Sequence, residues 1–120
     1  MNQPQPVPAA VDIQNLSRSC NQALILGTLA SGPHHGYQLV LELEDKSGGA
    51  FRFQHGTLYP ILHKLETDGL ISGNWLDEPG RRRRKSYELT DAGREYLREQ
   101  VSGWRSFVDS FFQVVGEAVT

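Results

Sequence analysis

Arg81, Arg82, Arg83, Arg84 and Lys85 form one unbroken cationic run, and the chemistry such a run suits is neutralisation of a polyanion. Like charges held side by side repel one another, so a tip that met only water would gain nothing from five of them. A phosphate backbone reverses that balance, each neutralised phosphate steepening the fall of log affinity with log salt by about 0.9. The chain carries a formal charge of −2, yet between Arg52 and Lys85 seven basic residues stand against four acidic ones. The acids gather at Glu42, Glu44 and Asp45 and from Glu88 onward, so a polyanion should meet one face of the molecule. Side chains alternate along a strand, so about half of the run can face one partner, and its expected role is to hold backbone, not to choose sequence.

A second group of polar types lies between residues 55 and 68. Leu58, Ile61, Leu62 and Leu65 fall on one helical face at about 100° per residue, which leaves Gly56, Tyr59, Pro60, His63, Lys64 and Thr67 opposite them, with Thr57 at the margin. Lys64 and His63 can approach phosphates or base edges, while Thr57 and Tyr59 offer hydroxyls near a helix start whose free N–H groups also attract phosphate. Other chemistry finds no support. His55 and His63 are separated by about 12 Å of helical rise and cannot share a metal, and adjacent histidines such as His34 and His35 usually serve a turn as solvated or capping residues. The single cysteine, Cys20, excludes an internal disulfide and reads as a small buried hydrophobe. No catalytic residue, metal or cofactor is therefore expected.

The elements that position these groups follow from periodicity and punctuation. A first helix is expected over residues 16–30, with Leu16, Cys20, Ala23, Leu26 or Gly27, and Ala30 at three-and-four spacing and Ser31-Gly32-Pro33 as its stop. A second spans about 37–47, offering Tyr37, Val40, Leu41 and Leu43 for burial and ending at Gly48-Gly49. The third covers 55–68, with Gly69 as a left-handed cap and Leu70 folding back on its last turn. Strands at 71–77 and 83–89 meet through Glu78-Pro79-Gly80-Arg81, where Pro presets φ and Gly tolerates the positive φ of a type II turn; Ile71, Gly73 and Trp75 alternate with polar residues, as do Tyr87 and Leu89. Thr90 caps a last helix that runs to about Val119. Its apolar residues Leu97, Val101, Trp104, Val108, Phe111 and Val115 form a heptad seam, widened by Phe107, Phe112 and Val119.

The order helix-helix-helix-hairpin-helix predicts a mainly α fold with a small β-hairpin: a winged helix-turn-helix at 15–90, a long C-terminal helix at 91–120 that forms a homodimer, and a flexible Pro-rich arm at 1–14. In such a fold the third helix enters the DNA major groove and the hairpin reaches the neighbouring backbone. No segment has the roughly 18 apolar residues of a membrane span, and the N-terminus has no leader pattern, so a reducing cytoplasm is expected.

Ile25-Leu26-Gly27-Thr28-Leu29, Gly32-Pro33-His34-His35-Gly36-Tyr37, Gly56-Thr57-Leu58-Tyr59-Pro60, Asp68-Gly69-Leu70-Ile71 and the exit Leu89-Thr90-Asp91-Ala92-Gly93 together resemble the PadR family of bacterial transcriptional regulators. The resemblance runs from about Asn21 to Trp104. It implies a homodimeric regulator of the nucleoid, usually a repressor, that binds double-stranded DNA at an inverted-repeat operator and is released by a small aromatic molecule. On this reading DNA meets Tyr37, His55, Gly56, Thr57, Tyr59, His63, Lys64 and the run from Arg81 through Lys85. Leu97, Val101, Trp104, Val108, Phe111, Phe112 and Val115 hold the dimer, and Trp104, Phe107 and Val108 are the candidate ligand pocket, with Trp104 as a plain interface anchor the alternative. Gln54-His55 stands where relatives commonly have Ser-Pro, so a cap and a first-turn proline are both missing. A winged helix that grips an acidic protein partner through its wing is the rival reading, and it would not require Lys64, Thr57 and Tyr59 on the third helix.

Overall fold

Leucine and isoleucine spacing decides which helix faces turn inward in the computed structural model, which describes residues 13–116, with side chains from Ser17 onward. Helix α1 (Ile13–Leu29) sends Ile25, Leu26 and Leu29 into the core. Helix α2 (Gly36–Lys46) adds Leu39 and Leu43, and α3 (His55–Thr67) adds Leu58, Leu62 and Leu65. Ile71 and Tyr87 close the cluster from the sheet. At eleven residues α2 is too short to persist alone, so its order comes from burying those two leucines, each contributing ~1.5–3 kcal/mol.

Two inward faces differ from expectation. On α1 the stripe through Cys20, Ala23, Gly27 and Ala30 lines a groove beside the last helix, and the core is served by the neighbouring stripe. On α2 Tyr37 and Leu41 are exposed and Leu39 is fully buried. The rotation of α2 is set by what precedes it. His34–His35 form a short strand, β1, whose His34 pairs with Tyr87 and His35 with Ser86. The ring nitrogens of His34 sit on the Gly32 carbonyl, at 2.6 Å, and on the Glu42 carboxylate, while His35 N–H donates to Gln38 Oε1 at 2.9 Å.

The sheet accordingly has three antiparallel strands, in the order β1-β3-β2, where a two-stranded hairpin was expected. Strands β2 (Ile71–Leu76) and β3 (Arg84–Leu89) pair from Ile71 opposite Leu89 to Leu76 opposite Arg84. The turn forms as read, with Arg81 N–H donating to Glu78 O at 3.1 Å and Gly80 at φ 78°. Trp75 is exposed, because the outer half of the hairpin projects beyond any layer that could cover it.

Gly69, at φ 76°, ends α3: Gly69 N–H donates to Glu66 O and Leu70 N–H to Leu65 O, both at 3.0 Å, which satisfies two otherwise orphaned carbonyls. Thr90 then joins two elements. Its hydroxyl donates to Gly69 O at 2.7 Å and accepts from Gly93 N–H at 3.0 Å, capping helix α4 (Asp91–Val115). Helix α4 packs on α1 through Leu97 and Tyr96, with Ser19 Oγ donating to Gln100 Oε1 at 2.7 Å. It then runs outward, drawing the molecule out to 65 × 35 × 24 Å. No helix among the described residues is long and apolar enough to cross a membrane. The expected N-terminal arm lies outside the described residues except at 13 and 14, which belong to α1, and Val119 lies outside them too.

Candidate nucleic-acid interface

The outward face of α3 presents His55, Gly56, Thr57, Tyr59, His63 and Lys64, all exposed, as the apolar spacing of its buried face dictates. A side chain at Gly56 would meet open space, so its backbone can be approached closely. The start of α3 has no side-chain cap, as Gln54-His55 implied. Tyr37 joins the same surface from the first turn of α2. Its ring lies 5.8 Å from that of His55 at an interplanar angle of 4°, and His55 lies 6.1 Å from Tyr59 at 23°. Tyr59 in turn rests on Gly36, where a Cβ would stand 3.0 Å from its Oη and 3.2 Å from its Cε1. Lys64 pairs with Asp68 one turn further on, at 3.1 Å.

The five wing cations divide into three sorts. Arg81 and Arg83 hold nearby acids, Glu78 at 3.6 Å and Asp77 at 3.0 Å, and Arg83 also lies over the Trp75 ring at 4.8 Å. Lys85 turns inward to Glu66 of α3 at 2.7 Å, each side chain about one-quarter exposed. That hydrogen bond holds the Lys85 ammonium above the usual lysine range, while burial pushes the neighbouring Tyr87 phenol up. Arg82 and Arg84 are exposed and have no acidic partner among the described residues. Wing and α3 face one another across a cleft of about 870 Å³ that Tyr37, Tyr59, His63, Trp75, Arg82 and Arg84 help to line. Alternation along a strand suggested that only part of the run points one way. The Glu66 contact was not foreseen, since an acid 19 positions away leaves no local signal.

A second surface lies between α1 and α4. Leu97, Val101, Trp104 and Val108 line a mainly apolar groove of about 610 Å³, facing Cys20, Ala23 and Gly27. Arg105 and Asp109, missed as groove residues, add its polar edge. Phe107 does not line the groove but meets the Trp104 ring edge-on at 5.6 Å. Beyond it the helix bares Phe111, Phe112 and Val114, at 51%, 59% and 81% exposure, an apolar strip of the kind that marks an interface.

Three helices, a basic β-wing and an exposed third-helix face define a winged-helix protein. The chain belongs to the transcriptional regulator PadR-like family, whose sequence profile matches residues 25–99, and members of that family are regulators and not enzymes. A transcriptional regulator of Mycobacterium tuberculosis is 39% identical over 87 residues, spanning 72% of this chain and 78% of the relative. A PadR-family regulator structure from Eggerthella lenta superposes with a TM-score of 0.74 at 33% identity, over 86% of this chain and 88% of that one. Bacillus subtilis PadR, solved in complex with operator DNA, gives 0.62 at 29% identity, over 67% of this chain and 44% of that one.

Proposed function

We propose that the protein is a homodimeric repressor that binds an inverted-repeat operator in double-stranded DNA, acting at the nucleoid in the bacterial cytoplasm. This reading rests on the pairing of an exposed polar third-helix face with Arg82 and Arg84, the two wing cations that no acid among the described residues engages. On this reading α3 enters the major groove, Lys64 and His63 reach base edges or phosphates beside Thr57 and Tyr59, and Arg82 and Arg84 take the adjoining backbone. The complex of the Bacillus subtilis relative with operator DNA supports it. A two-fold arrangement through the bare strip of α4 would place two α3 helices to read two half-sites.

Release falls to the groove. A flat aromatic molecule fits its apolar walls and can stack on Trp104, and a site shared between α1 and α4 would couple occupancy to the angle between the DNA-binding unit and the dimer helix. The test is recovery of bound sequences from a random duplex pool, followed by addition of aromatic acids and planar drugs while Trp104 emission is recorded. A recovered inverted repeat that dissociates as emission quenches supports the whole reading. Recovery of no common sequence points to an acidic protein as the wing's partner.

A further inference from the structure

Three aromatic rings stand in a row where α2 and α3 begin. Tyr37 is 60% and Tyr59 49% exposed, and His55, between them, is exposed as well. Rings of this size left in water represent unburied apolar surface unless a partner covers them. Their near-parallel planes, 4° and 23° apart in sequence along the row, restrict each ring by its neighbour, and Gly36 supports the far end by leaving room for Tyr59. Among the described residues, His55 is the one ring that stacks on both tyrosines. It occupies the first helical position of α3, a place where proline would suit the backbone at least as well.

We infer that His55 is a positioning residue for sequence recognition: its ring locks Tyr37 and Tyr59 into one preformed aromatic rail along the DNA-facing end of α2 and α3. The inference rests on the DNA-binding reading above. An ordered rail removes the entropy that two free tyrosines would lose on binding, and it presents a rigid apolar edge suited to thymine methyl groups. Neither contribution depends on charge. The rail therefore raises affinity for the right duplex and leaves the backbone term, set by the wing, as it was.

The experiment titrates wild type, His55→Ala, His55→Phe and His55→Pro against the recovered duplex and a scrambled one at several salt concentrations, with thermal unfolding of each. His55→Ala should lose roughly tenfold in affinity for the recovered duplex, with the scrambled affinity and the salt slope unchanged. His55→Phe should restore most of that loss. His55→Pro should unfold no earlier than wild type yet bind like His55→Ala, which separates the rail from helix stability. Adding Tyr37→Ala to His55→Ala should cost little more, because the two act as one unit. A wild-type preference that His55→Ala leaves intact overturns the rail alone. So does a His55→Phe variant as weak as His55→Ala. A wild type that prefers neither duplex overturns the DNA reading and the rail together.

Discussion

Lys85 Nζ donates to Glu66 Oε1 at 2.7 Å, tying the inner end of the wing to the third helix across Gly73. A Cβ at Gly73 would stand 2.3 Å from Lys85 Cε and 2.6 Å from Glu66 Oε2, so the missing side chain makes room for the contact. The fifth cation of the run is thus a strut between the two elements that frame the cleft.

Removing either partner should lower stability by about 1 kcal/mol, since the pair is only part-buried. A double-mutant cycle of Glu66→Gln and Lys85→Met, followed by urea unfolding, should show a coupling of about 0.5–1 kcal/mol. Because the lysine is raised in the folded state, the contribution is complete below the ordinary lysine value and is lost as pH rises through the folded one. Additive effects would show that the strut is not a coupled contact.

Gly93 is closed to any side chain, since a Cβ there would stand 1.9 Å from the Leu70 carbonyl oxygen, a backbone atom that cannot swing aside. Gly93→Ala should therefore cost about 2–3 kcal/mol by forcing the start of α4 away from the end of α3, although alanine has the higher helix propensity. Gly103, where a Cβ meets nothing, is the control: Gly103→Ala should gain up to ~1 kcal/mol in chemical denaturation.

The Glu42 carboxyl lies below the usual glutamate range, chiefly through its hydrogen bond to Lys46 and next through that to His34. A lowered acid contributes stability that is present above its unfolded value and is lost as pH falls through the folded one. Unfolding midpoints followed from pH 6 down to about 3 should drop less steeply in Glu42→Gln than in wild type. Parallel curves would separate the pair from acid sensitivity.

How much of this was legible in the sequence depended on whether the signal was local. The caps at Gly69 and Thr90, the Pro79-Gly80 turn and the Leu58-Leu62-Leu65 stripe are set by neighbours within a few positions, and all took the form their residues imply. The third strand escaped because two residues carry no alternation to recognise. The inward face of α2 was misjudged for a related reason: that strand and the Gly36–Tyr59 contact fix its rotation from outside the helix. On α1 both stripes are apolar, so spacing could not decide which one met the core and which the groove. Of the groups expected at the interface, Tyr37, Tyr59, His63 and the run from Arg82 through Lys85 line one cleft, while the Glu66 strut and the Tyr37–His55–Tyr59 row required the folded chain.

The proposed dimer seam along α4, which runs from Leu97 through Trp104 and Val108 to the bare Phe111 and Phe112, leads to a prediction about mass. Trp104→Ala, and more strongly Val108→Asp, should shift the protein from dimer toward monomer at micromolar concentration, because a buried unpaired carboxylate costs several kcal/mol at such an interface. Sedimentation velocity reads this directly. Wild-type protein that sediments as a monomer at that concentration would contradict the seam.

On the DNA-binding reading α3 selects sequence while the wing holds backbone. Titration of the recovered and scrambled duplexes across salt, with wild type, Lys64→Ala and the double variant Arg82→Ala/Arg84→Ala, tests it most directly. Lys64→Ala should cut affinity for the recovered duplex by a kcal/mol or so, and the arginine pair should flatten the salt slope by about 1.8 for both duplexes without changing the preference. Equal affinity of the wild type for the two duplexes at every salt concentration would contradict the account.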